Sequence, residues 1–325
     1  MKYEGISLRV GRTDRGSNMR NRTSHEFAWE HTSVSGGWKT LLVLAWVHLF
    51  AVAAVEKGGN EGAPGQPKDP GVVHDELGHV LSRAVIDLQR RQGELDCMYE
   101  RLGQVVQKNA GKGSRKDGWA SGHVVSSNGA FCAFADSAKG YLDYRKKNFF
   151  HDFADAMAKW LHSVCDGQCL VAELGASSGL YGAYWRKAGV NVTSYDGTAG
   201  IATVTRGHVQ YMDLSSEVSR VVYGKRYDFT TCVEVLEHIP KTSEDAVVKN
   251  IAAMTRLGAI ITWARPGQGG NHHVNERPKS EVVTLFEQVG LFFCPNTTQT
   301  LQSRIHTKHL RENLLVLRTN RWSCN

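Results

Sequence analysis

Residues 171–185 read VAELGASSGLYGAYW. The apolar run Cys169–Leu174 that leads into them has the length and composition of a buried strand. It meets a turn carrying Gly175, Gly179 and Gly182, and a helical pattern then runs over Leu180–Ala188. Glycines at such a junction permit a tight turn and let backbone approach a ligand at a helix N-terminus. The pattern repeats downstream. Val190–Tyr195, Val209–Met212, Tyr227–Val233 and Ala259–Trp263 read as strands two to five, and Ser243–Met254 and Lys279–Val289 as helices. Leu291–Cys294 and Asn313–Leu317 read as two closing strands. This alternation predicts an α/β fold, with a parallel sheet covered by helices on both faces. Ligands in such sheets bind at the C-terminal ends of the strands, where the strand order reverses. Before the first strand, a helix over Tyr144–Val164 places Phe149, Phe150, Phe153, Met157, Trp160 and Leu161 on helical spacing, which reads as a core-facing stripe.

The residue types in the glycine loop discriminate between ligands. Asp196 stands 21 residues after Gly175, at the tip of strand two, where a carboxylate can hold both hydroxyls of a ribose. A dinucleotide loop would want a glycine where Ser177 stands, so that a pyrophosphate could approach. Glu173, two residues before Gly175, repels phosphates but suits an ammonium group. S-adenosylmethionine has an amino group, a sulfonium and no phosphate, so charge favours it over NAD.

The segments VAELGASSGLYG, VTSYDGT, VQYMDL and YDFTTCVEVLEHIP resemble the successive motifs of class I S-adenosylmethionine-dependent methyltransferases, in the family's order and over roughly Val164–Leu317. The resemblance implies a Rossmann-like, seven-stranded mixed sheet in the order 3-2-1-4-5-7-6, with strand seven antiparallel. It implies that Glu173, Gly175, Ala176 and Gly179 line the methionine end of the cofactor and that Asp196 binds the ribose. Met212 and Asp213 would flank the adenine, and Glu234 would lie beneath the sulfonium. Each acid also has a plainer reading. Glu173 could be a strand-end surface acid, Asp196 a turn former and Asp213 a helix N-terminal residue.

Methyl transfer needs alignment, and an alcohol acceptor also needs a base. Glu237 and His238 follow strand four, and His273 lies in the Gly-rich stretch 263–278 after strand five, with His272 beside it. These three, His273 first, are the candidate catalytic residues. Arg265 and Arg277 could meet an acidic acceptor or serve surface solubility. Glu234, Glu237, His238 and His273 form an alternative set that could hold a divalent ion. A similar set binds a metal in the small-RNA 2′-O-methyltransferases. The reading adopted assigns no metal.

The chain has 325 residues, 41% apolar and 22% charged, which excludes a wholly disordered chain, and its 33 glycines follow no short repeat. The net charge of +7 favours anionic surroundings weakly. No arginine-rich helix, RNA-recognition motif or zinc-finger spacing is present, so nucleic acid is not an expected partner. Residues 40–55, TLLVLAWVHLFAVAAV, form an apolar run after a 39-residue segment with seven Lys/Arg. The charge bias predicts a signal anchor with a cytosolic tail over 1–39. A cleaved signal peptide and a buried core helix are the alternatives. Residues 56–72 and 109–118 read as linkers. Between them, 73–108 carry Leu81, Leu88, Leu95 and Leu102 at intervals of seven, which suggests a coiled-coil stem and a homodimer, or else a helix packed on the domain. The domain proper would span 119–325. The seven cysteines show no framework spacing. Sequons at Asn191 and Asn296 are candidate glycosylation sites. The expected protein is a type II membrane protein of the Golgi or endoplasmic reticulum, with a luminal methyltransferase domain acting on a glycan or glycoconjugate. Alternatives are a membrane-tethered small-molecule or lipid O-methyltransferase, a metal-dependent RNA 2′-O-methyltransferase-like enzyme, and a catalytically silent binding subunit.

Overall fold

The computed structural model describes residues 70–109, 125–133, 142, 146–216 and 224–324. The apolar run 40–55, the cytosolic-tail assignment and most of both linkers lie outside the described residues. Among the described residues no helix is long and apolar enough to cross a membrane.

The apolar runs of the sequence become β1 (Leu170–Leu174), β2 (Asn191–Asp196), β3 (Val209–Tyr211), β4 (Tyr227–Cys232), β5 (Thr255–Ile261), β6 (Phe292–Phe293) and β7 (Leu315–Arg318). They form one sheet in the order β3-β2-β1-β4-β5-β7-β6. The first five strands pair in parallel, and β7 is antiparallel to both β5 and β6. Strand order reverses between β1 and β4, so a crevice opens beyond the ends of those two strands.

The helices are α1 (Pro70–Asn109), α2 (His151–Cys165), α3 (Leu180–Lys187), α4 (Ile201–Val204), α5 (Glu244–Met254), α6 (Lys279–Glu287), α7 (Pro295–Gln302) and α8 (Lys308–Asn313). On one face of the sheet Val247, Ile251 and Met254 of α5 pack with Val282 and Phe286 of α6. On the other, Phe153, Met157 and Leu161 of α2 meet Trp185 of α3, Leu301 of α7 and Leu310 of α8. Each large side chain buried this way contributes about 1.5–3 kcal/mol.

Several sequence expectations need correction. Strand five begins at Thr255, four residues early, directly after α5. Its polar start is satisfied by partners: the Thr230 and Thr255 hydroxyls bond at 2.6 Å, and Arg256 Nε donates to Asp228 at 2.6 Å. The closing strands are shorter than expected and enclose two helices, α7 and α8. The helix expected from Tyr144 starts at His151, because Phe150 is extended (φ −108°, ψ 109°). Phe149 and Phe150 therefore leave the helical stripe, while Phe150, half-buried, still packs against the core that the stripe forms. Asp152 then accepts hydrogen bonds from His306 N and Thr307 N, both at 2.7 Å, and so positions α8.

The stem helix starts at Pro70, within the segment read as linker, and is not a separate module. Val85 and Cys97 are buried, Tyr211 Oη donates to the Gln89 carbonyl at 3.1 Å, and Gln89 Nε2 donates to Ser216 at 2.8 Å. Leu88, Leu95, Met98 and Leu102, on the expected seam, are 44–59% exposed. The helix thus packs on the domain through one face and presents the heptad edge to solvent. Six cysteines pair as Cys97–Cys132, Cys165–Cys169 and Cys294–Cys324, and Cys232 is buried and free. Both sequon asparagines, Asn191 and Asn296, are exposed.

Candidate functional site

Glu173, the last residue but one of β1, turns its carboxyl group under the glycine loop. It accepts a hydrogen bond from Gly182 N at 3.1 Å and one from Ser194 Oγ at 2.6 Å. Gly182 is required there, since a Cβ on it would stand 2.3 Å from Glu173 Oε2 and 2.2 Å from Ser194 Oγ. Burial raises the Glu173 carboxyl to about 7, against the opposing pull of those hydrogen bonds and of Arg186. The loop itself turns through left-handed Gly175, Ser177 and Gly179. Ser177 tolerates φ +52° while its N–H bonds Asp196 Oδ2 at 2.6 Å. The other Asp196 oxygen accepts from Thr198 N at 2.8 Å.

Two adjoining cavities make one cleft over this loop. The larger, about 320 Å³, is lined by Glu173, Gly175, Ala176, Tyr181, Glu234 and His273, among others. The smaller, about 90 Å³, reaches Asp196, Met212 and Asp213. Phe131, Gly175, Ser177, Glu234 and His238 border both. The expected cofactor residues are thus brought together, Glu173 in the larger cavity, Asp196, Met212 and Asp213 in the smaller, and Glu234 on both. Gly179 shapes the loop without lining either cavity. Burial pushes the Asp213 carboxyl up, and hydrogen bonds from Ser215 and Asn128 oppose this.

Beyond β4, Glu234 adopts φ +55°, a conformation non-glycine residues enter at a cost, and one that clusters at functional sites. Thr262 holds it: Glu234 N donates to Thr262 Oγ1 at 2.7 Å, and that hydroxyl donates to Glu234 Oε1 at 2.9 Å. The segment after β5 folds back onto the turn after β4, since Val274 N and Asn275 N both donate to the Glu237 carbonyl, at 2.9 and 3.0 Å. This places His273 edge-on to His238, with ring centroids 5.1 Å apart. His273 Nδ1 lies 3.2 Å from Glu276 Oε1. Glu276 also accepts from Gly267 N and Gly269 N. Burial would raise the Glu276 carboxyl, but these bonds and His273 hold it below the usual range.

Glu237 departs from its expected role. It is fully buried, lines neither cavity, and its two oxygens have no hydrogen-bond partner among the described residues. Burial, reinforced by Glu234, pushes its carboxyl well up. It cannot touch an acceptor; it reaches the cleft through His273, whose Nε2 is 4.0 Å from its Oε1. Glu237, His238 and His273 each offer a ligand atom within 4.8 Å of the others. Arg277 is committed to Glu244, at 2.8 and 2.9 Å, and to Glu281 at 2.8 Å. Arg265 pairs with Glu312. Neither arginine lines the cleft, so the expectation that they meet an acceptor is withdrawn.

Sequence reasoning missed His309, Phe149, Phe150 and Tyr181 as cleft residues. His309 Nε2 lies 3.8 Å from Glu234 Oε2 and its ring meets Phe150 edge-on. The full lining has one decisive property. It holds Glu173, Glu234, Asp196 and Asp213, and among the described lining residues no lysine or arginine. In a chain of net charge +7 the cleft is locally anionic.

No family model matches the chain. Among curated proteins, it is 27% identical over 149 residues to a ubiquinone biosynthesis O-methyltransferase of Hydrogenovibrio crunogenus, covering 43% of this chain and 57% of that protein. It is 24% identical over 163 residues to the protein of the same description from Albidiferax ferrireducens, covering 47% and 60%. The chain spans under two thirds of the length of these relatives. Among solved structures, it is similar to a TehB-like SAM-dependent methyltransferase from Corynebacterium glutamicum, with 15% identity, TM-score 0.40, and coverage of 57% of this chain and 99% of that one. It is also similar to a SAM-bound amino pentose methyltransferase from Micromonospora echinaspora, with 11% identity, TM-score 0.42, and coverage of 55% and 95%. The sheet order and the acid-and-glycine loop agree with the resemblance to class I S-adenosylmethionine-dependent methyltransferases, and the curated relatives that the chain partly matches are described as O-methyltransferases.

Proposed function

We propose that the domain transfers the methyl group of S-adenosylmethionine to a hydroxyl oxygen. The observation that carries this reading is the charge of the cleft. A pyrophosphate would enter among four acidic side chains, with no lysine or arginine among the described lining residues to meet it. An ammonium and a sulfonium are attracted by the same wall. When bound, this cofactor supplies a methyl carbon activated by the sulfonium for in-line displacement by the acceptor oxygen. The residues of the chain align the reactants and receive the proton. Glu173 faces the ammonium, Asp196 the ribose, and Met212 and Asp213 the adenine. His273 takes the acceptor proton at Nε2, because donation from Nδ1 to Glu276 leaves Nε2 with the free lone pair. Phe149, Phe150 and Tyr181 offer ring faces on which a cyclic acceptor can stack.

For the acceptor we retain a glycan or glycoconjugate in the secretory pathway, reached by a type II anchor over residues 40–55. Three disulfides support an oxidising compartment. The rival acceptor is a phenolic small molecule, after the curated relatives' descriptions. Alkylation of the unfolded full chain without reductant is expected to modify only Cys232. Modification of all seven cysteines would remove the support for a luminal domain.

A divalent cation held by Glu237, His238 and His273 is a second reading, favoured by the buried Glu237 carboxylate whose oxygens lack hydrogen-bond partners among the described residues. An ion there would act as a Lewis acid toward the acceptor oxygen. One experiment tests both readings: calorimetric titration of the full chain with S-adenosylmethionine and with NAD, then methyl transfer to glycan and phenol panels before and after chelation. Micromolar binding of S-adenosylmethionine and none of NAD is expected. The reverse would overturn the cofactor assignment. Turnover lost on chelation and restored by Mg²⁺ or Mn²⁺ would select the metal reading.

A further inference from the structure

Residues 125–133 stand outside the strand–helix repeat, and none of the motifs assigns them a role. They form a tight turn closed by the bridge between Val125 and Phe131. The Asn128 side chain organises it. Its Oδ1 accepts from Ala130 N at 3.0 Å and from the Ser126 hydroxyl, and its Nδ2 donates to the Gly197 carbonyl at 3.3 Å. Asn128 also hydrogen-bonds the Asp213 carboxylate. One amide thus ties the turn to the C-terminal ends of β2 and β3, beside Asp196 and Asp213 of the smaller cavity.

The turn closes that cavity from outside. Asn128, Gly129, Ala130 and Phe131 line it together with Asp196, Met212 and Asp213. The approach is close: Gly129 has φ +85°, and a Cβ on it would stand 2.2 Å from the His238 carbonyl oxygen. Phe131 meets the His238 ring edge-on, with centroids 5.5 Å apart. The outer side of the turn is tied to α1. Cys132 is disulfide-bonded to Cys97, and Ser127 Oγ donates to Asp96 Oδ2 at 2.6 Å. The long helix is in turn seated on β3 through Tyr211 and Gln89.

We propose that residues 126–131 form the outer wall of the nucleoside half of the cofactor site, and that the Cys97–Cys132 bond holds this wall in its binding position. The proposal rests on the assignment of S-adenosylmethionine as cofactor. A wall ordered in advance spares the ligand the entropy of ordering it, so removing the tie weakens binding without removing any contact. Asn128 is a positioning residue in this scheme: its amide fixes the turn against the Asp196 and Asp213 segments.

The test uses the full chain in three forms: wild type, Cys97→Ser/Cys132→Ser with the other two disulfides intact, and Asn128→Ala with all three intact. Calorimetry with S-adenosylmethionine gives Kd, and hydrogen exchange at the amides of Gly129 and Ala130 reports the wall itself. The double serine variant is expected to raise Kd about tenfold. Asn128→Ala is expected to raise it about fivefold. In the wild type, ligand should slow exchange at both amides, and in the double variant exchange without ligand should be faster. Should the double variant not fold, Asn128→Ala decides. Wild-type binding with Kd of every folded variant within twofold of it, or with no ligand protection at Gly129 and Ala130, would overturn the wall alone. No binding by the wild type would overturn the cofactor assignment and the wall with it.

Discussion

Replacing Glu173 by glutamine is expected to raise the Kd for S-adenosylmethionine about a hundredfold, equivalent to about 2.7 kcal/mol for loss of one partner of a buried charge pair. The change keeps the shape of the side chain and an oxygen for Gly182 N and Ser194 Oγ, and removes only the charge. Fold loss does not explain such a result, because the sign of the stability effect is opposite. Burial raises the folded-state carboxyl to about 7, above its value in the unfolded chain. A group shifted this way stabilises the fold fully at low pH and loses that contribution as pH rises through 7. At pH 8 the wild type buries a charge that glutamine lacks, so Tm of the variant should match or exceed the wild type. The same shift predicts the pH dependence of binding. Below about 7 the free protein carries a protonated Glu173, and a cationic ligand must displace that proton. Affinity should therefore fall about tenfold between pH 8 and pH 6 in the wild type and stay flat in Glu173→Gln. At pH 6 the wild-type binding enthalpy should also depend on the ionisation enthalpy of the buffer. A variant that binds like the wild type would remove Glu173 from the site.

The features legible in the sequence were those whose signal is local. The glycine loop and its acids lie within a few residues of one another, and the five parallel strands are apolar runs separated by helix-length segments. The sheet order followed from the family resemblance rather than from any residue count. What escaped reading depends on partners far along the chain. Thr255 and Arg256 look like loop residues until Thr230 and Asp228 are opposite them. The sequence PNTTQTLQ of α7 has no apolar stripe, yet Thr298 is buried because its hydroxyl accepts from Val316 N. With α7 and α8 unread, His309 had no position. Arg277 looked free to greet an acceptor because Glu244, 33 residues away, is invisible as a partner in one dimension. Glu237 shows the opposite failure. Its spacing beside Glu234 and His238 suggested a group facing the acceptor, whereas the short turn over Leu236–His238 points it into the core. The aromatic pair Phe149–Phe150 was read with the wrong period, since an extended stretch and a helix start use the same apolar residues.

Replacing His273 by alanine is expected to lower kcat by about 10²–10³-fold, the range of a positioned general base, while Kd for S-adenosylmethionine stays within about threefold of wild type. The separation of the two effects follows from placement. His273 borders the larger cavity beside Glu234, Asn271 and His309, and is absent from the smaller cavity that holds Asp196, Met212 and Asp213. Its attachments also lie away from the glycine loop, since Nδ1 is engaged with Glu276, which in turn holds Gly267 and Gly269. Removing the imidazole therefore leaves the cofactor wall intact and deprives the acceptor hydroxyl of the atom that receives its proton. Single-turnover measurement with saturating cofactor isolates that step from product release. Parallel loss of cofactor affinity would mean that the 263–278 segment contacts the cofactor rather than the acceptor. Metal analysis then distinguishes the two roles open to this imidazole. If His273 is a base, wild-type turnover survives chelation and the alanine variant differs from it only in rate. If it is a ligand, wild type binds one divalent ion, His273→Ala loses it, and chelation reduces the wild type to the rate of the variant. Glu237 adds an independent arm. Glu237→Gln should leave a base mechanism close to wild type, because that carboxyl touches neither cavity, but should abolish activity that depends on an ion held between Glu237, His238 and His273.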